Sequence, residues 1–162
     1  MERPMETTSL RQILFEVFCK VFADAAFVFA DLPDDGGDAE EMPAGYDISA
    51  IVDFSGHFRG SVLIGTGARM GGVAAANMLG IEEDDPAAEE RKVDAVLELL
   101  NMICGNLLPA VAGVEPEFSI DAPREAAAEE FAGVWKKASA RLRLSMEGCL
   151  TDVVLYIDDR KV

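Results

Sequence analysis

Between residues 94 and 106 the chain reads DAVLELLNMICGN, and four of these residues could meet another molecule. They are two carboxylates, Asp94 and Glu98, a carboxamide, Asn101, and a glycine, Gly105. A carboxylate attracts a cation, and a carboxamide both accepts and donates hydrogen bonds without adding charge. At roughly 100° per residue of α-helix, Asp94, Asn101 and Gly105 all fall within about 60° of Glu98. Val93, Val96, Leu97, Leu100, Ile103, Cys104 and Leu107 fall on the opposite arc, so one face goes to the core and the other carries the polar set. Any amphipathic helix turns polar residues outward, but the choice of residues here is informative. Glycine is poor in a helix and asparagine only neutral, where stability alone favours Ala, Lys or Gln. A small residue beside a carboxamide leaves room for another surface to approach.

Other residues capable of chemistry are less organised. The only histidine, His57, lies in a Ser55-Gly56-His57 turn with no second His or Cys at metal-ligand spacing, and it reads as a solvated turn residue. Cys19, Cys104 and Cys149 are an odd number, widely separated, with no C-x-x-C pair. That pattern suggests neither a disulfide framework nor a thiolate zinc site, and fits reduced, mostly buried thiols of a cytosolic protein. Gly65-Thr66-Gly67-Ala68-Arg69-Met70-Gly71 has the spacing G-x-G-x-x-x-G, a weak match to a dinucleotide-binding turn. A Rossmann unit also needs a parallel strand after the helix, whereas an acidic loop and another helix follow. The glycines are read as a close strand-to-helix turn.

The chain has 162 residues, the length of one ordinary domain, and 50% hydrophobic content, enough for a real core. With 30 acids against 14 bases the formal net charge is −16, which reverses the attraction that dominates nucleic-acid affinity. Asp31–Asp47 and Glu82–Glu90 together hold thirteen acids and no Lys or Arg, so the remainder is nearly neutral. No uninterrupted apolar run approaches the ~20 residues of a membrane span, and the N-terminus has no long apolar stretch. Membrane insertion and secretion are therefore not expected, and the expected location is the cytoplasm.

The elements that position the polar helix face can be read from periodicity. From Ser9, Leu10, Ile13, Leu14, Val17, Phe18, Val21, Phe22 and Ala25 recur at helical steps, with Ser9 and Gln12 as a capping box. Asp31–Gly45 is a loop. Tyr46–Phe54 and Phe58–Gly65 form a hairpin, Ala68–Leu79 a short buried helix ended by Gly80, and Ala87–Leu108 a strong helix with Pro86 in its first turn. Glu117–Asp121 is a short strand, Arg124 to about Lys137 a helical excursion, and Ala140–Met146 with Cys149–Ile157 a second hairpin around Glu147-Gly148. Helices precede each of two hairpins, so the expected class is α+β with a largely antiparallel sheet and helices packed on it.

With Asp94, Glu98 and Asn101 in place, the sequence resembles the CheC/CheX/FliY phosphatases of bacterial chemotaxis, most closely CheX. That family's signature is an acidic residue or Ser, three residues, Glu, two residues, Asn, then a Pro a little over twenty residues later. Here Pro123 follows Asn101 after 21 intervening residues, one fewer than usual. ELLNMICGN is the specific part, and the order of helix, hairpin with F-x-G and G-x-V (Phe54–Gly56, Gly60–Val62), short helix, signature helix and terminal hairpin is similar over nearly all of residues 1–162, implying a single CheX-like domain. The resemblance implies hydrolysis of the aspartyl phosphate of a CheY-like response regulator. Asn101 would orient the attacking water and Glu98 dock on the regulator's lysine. Asp94, Gly105 and Pro123 would shape the contact. It further implies a homodimer, Mg²⁺ held by the regulator and no cofactor bound by this chain. CheC-type relatives carry two active helices; Glu16 is followed three residues later by Cys19, a thiol where a carboxamide is needed, so no second site is expected. The alternative is a non-catalytic CheX-like module that binds a receiver or another signalling partner.

Overall fold

The computed structural model describes residues 7–31, 41–43 and 45–158. Along the chain come α1 (Thr7–Ala26), β1 (Ile48–Gly56), β2 (Arg59–Thr66), α2 (Ala68–Leu79), α3 (Pro86–Glu90), α4 (Lys92–Ala112), β3 (Phe118–Ile120), β4 (Arg124–Glu125), α5 (Ala128–Lys136), β5 (Ala140–Met146) and β6 (Cys149–Asp158). The strands form one sheet in the order β3-β1-β2-β6-β5, with β4 beside β3 on the outer edge of β1. Every pairing is antiparallel, as the α+β reading expected. Two hairpins set the register, Ile51 opposite Leu63 in the first and Leu142 opposite Val153 in the second. The second closes on Glu147 (φ 51°) and Gly148 (φ 73°). Two consecutive positive φ values give the hairpin turn whose twist matches the strands.

Period-two alternation sends the two sheet faces into different cores. Ala50, Val52, Val62, Ile64, Leu142, Leu144 and Val153 pack under α1, α2 and α4. On the other face, Ile51, Leu63 and Val154 meet Phe131, Val134 and Trp135 of α5. α4 lies at the centre of the first layer, touching α1, α2 and the sheet. Its buried residues are Ala95, Val96, Leu99, Leu100, Ile103, Cys104, Leu107 and Leu108. By length and composition α4 is apolar enough to cross a membrane. Its apolar residues are instead those of a core helix, turned inward on this sheet.

The second face also buries a charge. Asp152 has no exposed surface, and Arg143 grips both its oxygens at 2.8 and 3.0 Å while the Tyr46 hydroxyl donates to it at 2.6 Å. Arg143 also donates to the Glu41 carbonyl at 2.7 Å. Glu41 and Tyr46 are thereby tied to β5 and β6, and a carboxylate that would be costly to bury alone is fully partnered. Burial, then the Asp152 contact, push the Tyr46 hydroxyl well above its usual range.

Several boundaries differ from the sequence reading. α1 is already helical at Thr7, so Ser9 is inside it, and Gln12 donates to Glu16 at 2.9 Å instead of closing a capping box. The helix read as Ala87–Leu108 is broken at Arg91. Asp85 caps α3 by accepting from Ala87 N at 2.9 Å, and Ala88 is buried as α3 packs on α2; after Arg91, α4 continues along α2 and adds contacts to α1 and the sheet. α4 also runs on through the exposed Pro109 to Ala112, and the Gly113 N–H closes the end on the Pro109 carbonyl at 2.8 Å. The excursion from Arg124 begins as β4, since the outer edge of β1 needs partners; Asp121 N donates to Asp53 O and Ala126 N to Ser49 O, both at 2.9 Å, before α5 starts. Of the acidic loop read at Asp31–Gly45, residues 32–40 and 44 lie outside the described residues, and Asp31 bridges the β5 edge at Ser145.

Candidate functional site

The outer face of α4 carries the residues singled out above. Asp94, Glu98, Asn101 and Gly105 are all exposed, while Leu99, Leu100, Ile103 and Cys104 between them are fully buried. Burial of those four fixes the helix rotation, so the outward direction of Glu98 and Asn101 follows from the core and not from contacts of their own. The three asparagines show the difference. Asn77 donates to the Ala26 carbonyl at 2.7 Å and joins α2 to the end of α1; Asn106 donates to the Met102 carbonyl at 2.7 Å. Among the described residues, neither Asn101 nor Glu98 has a hydrogen-bonding or ionic partner.

Gly105 extends this strip one turn onward. A Cβ built there meets nothing within 4 Å, so nothing in the described chain requires the missing side chain. Pro109, four residues later, has no N–H to offer the Gly105 carbonyl. At that turn the outer face lacks a side chain, and the Pro109 ring stands where a helical N–H would meet the Gly105 carbonyl.

Asp94 differs from the other two polar residues in being engaged. Its Oδ2 lies 3.3 Å from Arg91, with both side chains 64% exposed, and it stands in the first turn of α4, where the helix dipole favours a carboxylate. Asp94 and Glu98 form one side of a groove of about 270 Å³ between α4 and α2 whose remaining lining is Ala75, Met78, Leu79, Ala95 and Arg91. Pro123 is half-buried between β3 and β4, the two short strands along β1, and is not on α4 itself. The structure thus gathers Asp94, Glu98, Asn101 and Gly105 on one strip and sets Pro123 at the sheet edge that β3 carries toward α4.

On α1, Glu16 is exposed and accepts from Gln12, and Cys19 is half-buried with its thiol pKa raised by burial. No carboxamide stands there. The glycine turn before α2 is occupied from within: the Asp47 carboxylate accepts from Ala68 N at 2.9 Å, where a phosphate would have to bind, and β2 is antiparallel to both neighbours. His57 is exposed in its turn. Among the described residues no three His, Cys, Asp or Glu side chains are grouped to hold a metal ion. Sequence reasoning missed Arg91 and the groove wall on α2. The i, i+3 spacing of Arg91 and Asp94 was a usable signal; the approach of Leu79 was not, because it depends on how two helices pack.

Solved structures of similar fold include a chain of the CheX–CheY–BeF₃–Mg²⁺ complex from Borrelia burgdorferi, with TM-score 0.66 and 19% identity over 91% of this chain and 97% of that one. CheX from Desulfovibrio desulfuricans is similar with TM-score 0.68 and 17% identity, covering 92% and 99%. FliY from Thermotoga maritima follows with TM-score 0.58 and 14% identity, covering 98% and 93%. At such identities the likeness is one of fold. No curated protein matches the sequence. The family model described as chemotaxis phosphatase CheX matches residues 48–147, and the chain belongs to that family.

Proposed function

We propose that this chain, acting through residues 1–162 as one CheX-like domain, accelerates hydrolysis of the aspartyl phosphate of a CheY-like response regulator. The observation that carries the reading is the uncommitted Asn101 carboxamide beside the uncommitted Glu98 carboxylate, on the outer face of a helix whose inner face is core. In the reaction a water oxygen bonds to phosphorus as the bond from phosphorus to the aspartyl oxygen breaks. The carboxylate is regenerated and orthophosphate leaves. What limits such a step is holding the water in line with phosphorus. The Asn101 carbonyl oxygen can accept from that water while its N–H₂ donates to a neighbouring oxygen, and neither adds charge beside an anionic phosphoryl group. Glu98, one turn away, pairs with the regulator's lysine. Asp94 supports that contact, Gly105 lets the regulator's backbone approach, and Pro123 shapes the adjoining loop.

Mg²⁺ comes with the regulator, in keeping with the BeF₃ and Mg²⁺ of the CheX–CheY structure of similar fold. A cytoplasmic homodimer completes the reading. The decisive experiment mixes the protein with a phosphorylated CheY-type receiver and Mg²⁺ and follows phosphate release, with Asn101→Ala and Glu98→Ala beside wild type. Acceleration by wild type that Asn101→Ala lacks is the expected result. Full activity in Asn101→Ala overturns the mechanism, and binding without acceleration by wild type leaves a receiver-binding module instead.

A further inference from the structure

We propose that the groove between α2 and α4 docks an apolar side chain of the receiver that stands beside a basic one, and thereby selects which regulator the chain serves. This rests on the docking half of the phosphatase reading, that the receiver meets the outer face of α4. Ala75, Met78, Leu79 and Ala95 make part of the groove apolar, and Arg91, Asp94 and Glu98 make the rest polar. Leu79 is 52% exposed in the last turn of α2, just before Gly80 ends the helix, and belongs to neither buried cluster. An exposed leucine on its own needs no explanation; one that lines a groove beside two carboxylates defines a chemistry.

The charge of the groove names the occupant. Glu98 is taken by the receiver's active-site lysine, so the carboxylate open to a second cation is Asp94, whose 3.3 Å contact with Arg91 is exposed on both sides. Glu82, Glu83 and Asp84, exposed just after α2, add to the negative excess. An apolar side chain flanked by Lys or Arg satisfies both halves, with the aliphatic stem of the cation lying on the half-buried Met78 and the exposed Leu79. Glu98 lines this groove and also the strip that holds Asn101. A body that brings its phosphoryl group to Asn101 therefore covers the groove as well. Arg91 competes with the incoming cation for Asp94, which tunes how basic the partner must be.

The test titrates the protein with CheY-type receivers of the host organism held active by beryllofluoride and Mg²⁺, and measures phosphate release from the phosphorylated receiver in parallel. Leu79→Asp is expected to raise Kd roughly tenfold, with Leu79→Gln as a milder variant should Leu79→Asp fold poorly. Arg91→Gln is expected to lower Kd about two- to fivefold, more at low salt, the scale of an exposed ion pair. If both Leu79 variants bind like wild type while Asn101→Ala loses turnover, the groove inference falls and the phosphatase reading stands. If wild type binds without accelerating release and Leu79→Asp weakens that binding, the phosphatase reading falls and the groove stands. A wild-type protein that binds none of these receivers overturns both.

Discussion

Pro109 follows Gly105 by one helical turn, so the Gly105 carbonyl, on the exposed face of α4, has no i+4 N–H to accept from. Both residues weaken the helix for its own sake. Gly105→Ala is expected to stabilise the fold by about 0.5–1 kcal/mol, since its Cβ enters open space. Pro109→Ala is expected to add roughly 1–3 kcal/mol by restoring the bond. Gly105→Ala should lower the rate of phosphate release at limiting receiver by crowding the strip, whereas Pro109→Ala should leave that rate unchanged. Urea midpoints measured beside turnover check the opposition; a bulky Gly105→Leu variant with unchanged turnover removes the case for close approach.

The Asp152 site makes a purely structural prediction. Replacing Arg143 with Met strands a fully buried carboxylate and is expected to cost about 3–5 kcal/mol. Tyr46→Phe removes one donor and should cost roughly 1 kcal/mol. Denaturant unfolding measures both, and neither change touches the outer face of α4.

Asn101→Ala and Glu98→Gln should unfold within about 0.5 kcal/mol of wild type, because both side chains are exposed and unpartnered among the described residues. Turnover should separate from stability in these variants. Loss of the positioned carboxamide is expected to slow release on the order of a hundredfold at saturating receiver. Single-turnover phosphate release distinguishes this from weaker docking.

Alkaline pH should destabilise the chain. Burial pushes the Cys104 thiol from 9.0 up to about 12, and burial and Asp152 raise Tyr46 as well. Both groups keep their protons more tightly folded than unfolded, so their contribution is complete below the unfolded pKa values and is lost as pH rises toward the folded ones. Stability should hold to about pH 9 and then fall by up to ~1.4 kcal/mol per pH unit for each group. Melting curves from pH 7 to 11, with Tyr46→Phe reducing the slope above pH 10, test the sign and the window.

The acidic segment before α3 predicts a kinetic effect. Glu82, Glu83 and Asp84 are exposed just ahead of the helices that lead to the strip. Changing them to Gln or Asn should slow association with a basic-faced receiver severalfold at low salt, and the difference should vanish near 0.5 M, where screening is complete within a few ångströms. Stopped-flow association at several salt concentrations measures it.

What was legible in the sequence was whatever periodicity controls. The α+β class, both hairpins, Ala68–Leu79 with its Gly80 end, and the inward and outward arcs of α4 all follow from spacing at two or 3.6 residues. The four strip residues could be placed on one face because a single helix carries them. Features that depend on how elements meet were not legible. The break at Arg91 comes where α3, packed on α2, gives way to α4, packed on α2, α1 and the sheet; β4 pairs with the outer edge of β1, and the groove needs Leu79 brought to Glu98. The buried Asp152 could have been suspected, since a lone acid inside an apolar strand requires a cation across the hairpin, and Arg143 stands directly opposite it.

α4 is at once the central core helix and the bearer of the strip, and its two faces answer to separate demands. Inner residues such as Leu99 and Ile103 can change only at the expense of folding, while Glu98 and Asn101 can be exchanged with little structural consequence. If Glu98 and Asn101 act as proposed, one or two substitutions erase or restore activity on an unchanged scaffold, and a copy can pass between enzyme and silent adaptor without an unstable intermediate.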